Sequence, residues 1–129
     1  MKTVVFLYET PDLVIAYKGS LEKEFTQRDF DIVGASSLEE AIELIPKEEK
    51  TILISDSLVL CESLKERFSG LEIRESVLER NLNTKLVCFS MMAPYRDGVF
   101  DEFFQDNLNF KENEDNIVGY VRKEMVEVG

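Results

Sequence analysis

Four short apolar runs punctuate this sequence: TVVFLY at 3–8, DIVGA at 31–35, TILIS at 51–55 and KLVCFS at 85–90. Each is too short for a core helix and rich in β-branched residues. Each therefore reads as a strand buried on both faces. Between them lie longer stretches with apolar residues at helical spacing. This alternation points to a parallel sheet, because parallel neighbours need a crossover long enough to hold a helix. Such crossovers are nearly always right-handed, which favours helices on both faces.

The intervening stretches supply the helices. Residues 13–25 place Leu13, Tyr17, Leu21 and Phe25 on one face. In SSLEEAIELI, Ser37 is a good N-cap, Glu40 stands where a capping box needs it, and Pro46 marks the end. Residues 61–68 and 73–82 read as helical, interrupted at Ser69 and Gly70. A short helix at 97–105 and a brief fifth strand at 108–110 follow. A helix at 117–126 carrying Ile117, Val121 and Met125 closes the chain. No repeat, linker or low-complexity tract divides the sequence, so residues 1–129 are expected to form one domain: α/β, with a five-stranded parallel sheet doubly wound as a (βα)5 three-layer sandwich.

Charge narrows the function. Lys and Arg number 15 against 26 Asp and Glu, a net charge of −11. A chain this acidic lacks the basic stripe that a phosphate backbone requires, so nucleic acid is excluded as a partner and anionic membrane is disfavoured. The apolar start is short and ends at Glu9, so it is not a signal peptide, and no run is long enough to span a bilayer. A cytoplasmic protein is expected. Cys61 and Cys88 sit among apolar residues and read as buried, reduced thiols. There is no histidine and no CxxC, which removes Ser-His and Cys-His catalysis and the usual zinc sites.

In an open parallel sheet, ligands bind beyond the carboxyl ends of the strands. The residues expected there are Glu9, Thr10 and Asp12 after the first strand, Asp56 after the third, Ser90 after the fourth and Lys111 after the fifth. This combination suits phosphoryl chemistry. A carboxylate such as Asp56 can attack phosphorus. A divalent ion such as Mg2+, held by Glu9, Asp12 and Asp56, would offset charge on the transferring group. Ser90 and Lys111 would hold the phosphoryl oxygens.

By motif order and topology, over essentially its whole length, the chain resembles the CheY-like receiver domains of bacterial two-component response regulators, which are flavodoxin-like in fold. ILISDSLVL resembles the family's third strand with its phospho-accepting aspartate, here Asp56. LVCFSMM resembles the fourth strand with its hydroxyl residue, here Ser90, and LNFKE resembles the fifth strand with its lysine, here Lys111. ASSLEEAIELI is similar to the end of the second strand and the helix after it. The resemblance implies a signalling domain that receives a phosphoryl group from a histidine kinase or phosphotransfer protein and docks an output protein.

The departures define an atypical variant. Family members usually carry two adjacent acids after the first strand, where this chain has Glu9-Thr10. Leu60 replaces a proline after the acceptor, Met91 a small residue after the hydroxyl, Leu108 the aromatic of the fifth strand and Glu112 the proline after the lysine. Two readings follow: a working receiver phosphorylated on Asp56, or a pseudo-receiver that signals by docking alone. The acids Asp97, Asp101, Glu102, Asp106, Glu112, Glu114 and Asp115 stand against the single base Lys111 in the last-but-one stretch, 97–115, and would suit a basic output partner. An enzyme is not expected beyond autophosphorylation from a phosphodonor. GxGxxG is absent, YETPDLV is not a flavin phosphate loop, and SDS on a third strand does not match the DxD of haloacid-dehalogenase phosphatases.

Overall fold

The computed structural model describes residues 2–25, 30–56, 59–61, 63–90, 99–105 and 109–126. Five parallel strands form one sheet: β1 (Thr3–Leu7), β2 (Asp31–Ala35), β3 (Thr51–Ser55), β6 (Thr84–Ser90) and β7 (Glu102–Gln105). Their order is β2-β1-β3-β6-β7. The four apolar runs of the sequence are the first four of these strands. The remaining pair, β4 (Val59–Cys61) and β5 (Glu66–Phe68), makes a separate antiparallel hairpin.

Strand alternation sorts the core into two clusters. Val4, Phe6, Ile52, Ile54, Val87 and Phe89 point to one face of the sheet. There they meet Tyr17 and Leu21 of α1 (Pro11–Glu24) and Phe25, its C-cap, together with Ile117, Val118 and Val121 of α4 (Phe110–Val121). Val5, Leu7, Leu53 and Leu86 point to the other face, against α2 (Leu38–Leu44) and α3 (Gly70–Arg80). Burying one such side chain contributes about 1.5–3 kcal/mol, whereas an exposed ion pair contributes about 0.2–1 kcal/mol, so these two clusters hold the layers together. The result is a three-layer sandwich with four α-helices among the described residues; a π-helical turn, Arg122–Val126, follows α4.

Helix ends follow local chemistry. The Ser37 hydroxyl accepts from the Glu40 amide at 3.2 Å, as its spacing requires. The Glu40 carboxylate, however, turns back to Ser36, accepting from its amide at 3.2 Å and its hydroxyl at 3.0 Å. Ser69 does not interrupt a helix but starts one: α3 opens with a capping box in which Ser69 and Glu72 satisfy each other's backbone.

Three sequence expectations are corrected. The described residues of 61–68, Cys61 and 63–68, are not helical; they belong to the β4–β5 hairpin, with a turn at Ser63–Lys65 and Lys65 at φ 54. The described part of the helix expected at 97–105, residues 99–105, is not helical, since Glu102–Gln105 is the fifth strand of the sheet. Of the strand expected at 108–110, residue 108 lies outside the described residues and Phe110 already belongs to α4, which begins seven residues before the expected 117. Its cap is Asn109, whose side-chain oxygen accepts from the Glu112 amide at 3.2 Å.

Candidate functional site

The order β2-β1-β3 means that the chain leaves β1 in one direction across the sheet and returns on its other side. The carboxyl ends of β1 and β3 are therefore the topological switch point, where a doubly wound sheet opens a crevice. Leu7 pairs with Ser55, and Ser55 with Cys88. One residue further, the next row across the three strand ends is Tyr8, Asp56 and Phe89.

Asp56 stands where the sequence placed it, directly after β3 and half-buried. Its negative charge reaches the neighbouring row. The Cys88 thiol is pushed up to about 12, first by burial and then by the charge of Asp56. Ser90 is the buried last residue of β6 and pairs in register with Gln105, the last residue of β7.

Lys111 is not at a strand end. It lies in the first turn of α4 with its side chain 73% exposed, 3.0 Å from Asp115 Oδ1 and 3.5 Å from Glu114 Oε1. These two carboxylates, Asp115 foremost, raise its pKa and hold the ammonium on its own helix. The strand assignment failed because the fifth strand ends earlier, at Gln105, a neutral residue. Of the residues that directly follow or end β1, β3, β6 and β7 among those described, none is basic.

The acids diverge from the expected metal set as well. Glu9 is exposed two residues beyond β1, and Asp12 is exposed in the first turn of α1. Among the described residues, no three His, Cys, Asp or Glu side chains stand together as a group able to hold a metal ion. Glu9, Asp12 and Asp56 are thus not brought together as one three-acid set. The residue level with Asp56 on β1 is neither of these acids but Tyr8, whose hydroxyl donates to the Phe89 carbonyl at 2.8 Å. The signal that identifies Tyr8 is register: counting back from Asp56 across a parallel pair reaches Tyr8 before Glu9.

Two of the described acids of the stretch are tied to other elements. Asp101 is taken into the fold, accepting from the Leu86 amide at 2.8 Å and lying 3.8 Å from Arg74 of α3. Glu114 turns toward α1 and accepts from the Ser20 hydroxyl at 2.8 Å. Asp97, Asp106, Met91 and Leu108 lie outside the described residues. Cys61 and Cys88 are both buried free thiols, as their apolar settings suggested. No described helix is long and apolar enough to cross a membrane.

No protein-family model matches the sequence, and no curated protein matches it. Solved structures do. Chemotaxis protein CheY4 of Vibrio cholerae superimposes with a TM-score of 0.68 at 12% identity, covering 97% of this chain and 99% of that one. A two-component response regulator from Clostridium difficile gives 0.65 at 14% identity, covering 95% and 98%. A CheY-like response regulator receiver domain protein from Methanospirillum hungatei gives 0.58 at 19% identity, with the same coverage. Five parallel strands in this order, flanked by helices on both faces, give the chain the fold of CheY-like response-regulator receiver domains.

Proposed function

We propose that this chain is a receiver-like signalling domain that regulates a partner protein by docking, without metal-dependent phosphoryl transfer to Asp56. One observation carries the reading. The place beside Asp56 on β1 holds a buried phenol bonded to Phe89, and the acids expected to form a cation site do not gather. A phosphoryl group arriving at Asp56 brings negative charge to a carboxylate. Among the described residues no strand-end lysine is in place to offset it, because Lys111 sits in the first turn of α4 beside Asp115. The setting that fits is a two-component or phosphorelay pathway in the cytoplasm, with a partner whose docking face is basic, given the net charge of −11.

A second reading, favoured by the half-buried Asp56 at the end of β3 with Ser90 ending the next strand, is phosphoryl acceptance from a histidine kinase or phosphotransfer protein. Incubation with Mg2+ and acetyl phosphate, followed by intact mass, separates the two. Docking alone predicts no mass gain and identical traces for wild type and Asp56→Asn. A phosphoryl adduct that disappears in Asp56→Asn would establish the second reading and remove the first.

A further inference from the structure

We infer that Tyr8 fills the place level with Asp56 at the end of β1 where a cation-holding carboxylate would have to stand and, by bridging β1 to β6 over the end of β3, fixes the strand ends in a single arrangement. Three observations converge on this. The first is placement. Tyr8, Asp56 and Phe89 form one row across β1, β3 and β6, one step past the pairs Leu7–Ser55 and Ser55–Cys88. Neighbouring strands lie about 4.8 Å apart, so β1 and β6 are about 9.6 Å apart with β3 between them. The bond from the Tyr8 hydroxyl to the Phe89 carbonyl, 2.8 Å long, therefore carries the phenol across the carboxyl end of β3 at the level of Asp56.

The second is the face. Tyr8 clusters with Val4, Phe6, Ile52, Ile54 and Phe89 on the α1/α4 side. Strand alternation assigns residue 56 to the side of residues 52 and 54. The ring thus takes up space on the face to which the Asp56 position belongs.

The third is how firmly the ring is held. Tyr8 is 5% exposed. Its acceptor, Phe89, packs edge-on against Tyr17 of α1 with centroids 5.2 Å apart. Tyr17 in turn stacks on Phe110 and shares a buried 3.3 Å hydrogen bond with Asn113, both of α4. Displacing the phenol would leave the Phe89 carbonyl without this donor in a packed region, a cost that an incoming Mg2+ would have to overcome.

Adding a carboxylate at this place should build what the chain lacks. Tyr8→Asp would set a carboxylate level with Asp56 and remove the ring. Tyr8→Phe would remove the bond and keep the ring. The inference rests on the receiver-like reading above, and the experiment separates the two. Amide chemical shifts are followed by NMR during titration with MgCl2, with folding checked by far-UV circular dichroism. Wild type and Tyr8→Phe are expected to show no saturable shifts near Asp56. Tyr8→Asp is expected to bind with a Kd lower by about tenfold or more, since affinity follows ligand charge count. Asp56→Asn in the Tyr8→Asp background is expected to abolish that binding. A folded Tyr8→Asp protein that ignores Mg2+ would overturn the inference and leave the docking reading intact. Wild type binding Mg2+ as tightly as Tyr8→Asp would overturn both. Should Tyr8→Asp not fold, Tyr8→Ser, which only vacates the space, must give Mg2+-dependent shifts at Asp56 where Tyr8→Phe gives none; otherwise the inference fails.

Discussion

Two buried polar residues show how partner count, rather than burial, decides what a side chain contributes. Asn81 lies at the end of α3. Its amide nitrogen donates to the carbonyls of Pro46 at 2.8 Å and Glu49 at 2.7 Å, and its oxygen accepts from the Asn83 amide at 2.8 Å. One side chain thus ties the segment before β3 to the turn before β6. Ser55 is fully buried, yet among the described residues its hydroxyl has no hydrogen-bond partner. Removing a satisfied group leaves its partners orphaned, whereas removing an orphan relieves a desolvation cost. Asn81→Ala is therefore expected to destabilise the fold by about 2–4 kcal/mol. Ser55→Ala, one residue from Asp56, is expected to be neutral or stabilising by about 1 kcal/mol. Urea unfolding of both variants checks the sign as well as the size. A Ser55→Ala protein less stable than wild type by as much as Asn81→Ala would contradict the hydroxyl's lack of a partner.

Elements were legible where one physical signal acted alone. The first four sheet strands are continuous apolar runs buried on both faces, and nothing else of that length competes with them. The misreadings come from spacings that two structures share. Phe100, Phe103 and Phe104 recur at i, i+3 and i+4, the stripe of an amphipathic helix. In the structure Phe100, which precedes β7, packs with the α2/α3 core, whereas Phe104 of β7 packs with the opposite one, so the two rings share no helical stripe. Cys61 and Leu64 mimic a helix in the same way, but Leu64 sits exposed in the hairpin turn. The start of α4 was written in the sequence as Asn109 with Glu112 three residues on, a cap signature outweighed by the apolar Leu108 and Phe110. That error moved Lys111 onto a strand and into the site. Asp56 and Ser90 were legible because they end strands that were; Tyr8 was not, because its role depends on register between strands. Element packing also offers a direct test. A Cβ added at Gly34 of β2 would clash with Cγ1 of Val14 in α1, so Gly34→Ala must displace Val14 or the helix that carries it. The expected loss is about 1–3 kcal/mol. Adding Val14→Ala should recover most of it, and a double mutant no more stable than Gly34→Ala would show that the helix–strand approach is not the cause.

At the scale of the whole molecule, the two cores share one sheet, and Cys88 belongs to its centre on β6, fully buried. Burial and the charge of Asp56 both oppose its thiolate, which pushes its pKa from 9.0 up to about 12. Tyr120 of α4 is raised as well, by burial and then by Glu124, Asp101 and Glu102. A folded-state pKa above the unfolded value means that the native chain binds more protons between the two. Stability is then fully present below the unfolded pKa and falls as pH rises toward the folded one. For Cys88 that window runs from about pH 9 to about pH 12. Other groups titrate there too, so the informative quantity is the difference between wild type and Cys88→Ala. Near neutral pH the variant should be less stable, having lost a packed side chain. Above pH 9 the unfolded wild-type chain gains from ionising its thiol, an option that Cys88→Ala does not have. The stability gap should therefore shrink, and the two denaturant midpoints should converge toward pH 11. A gap constant across that range would mean that the thiol ionises as easily in the folded chain as in the unfolded one, and that the core beneath Asp56 is open to water.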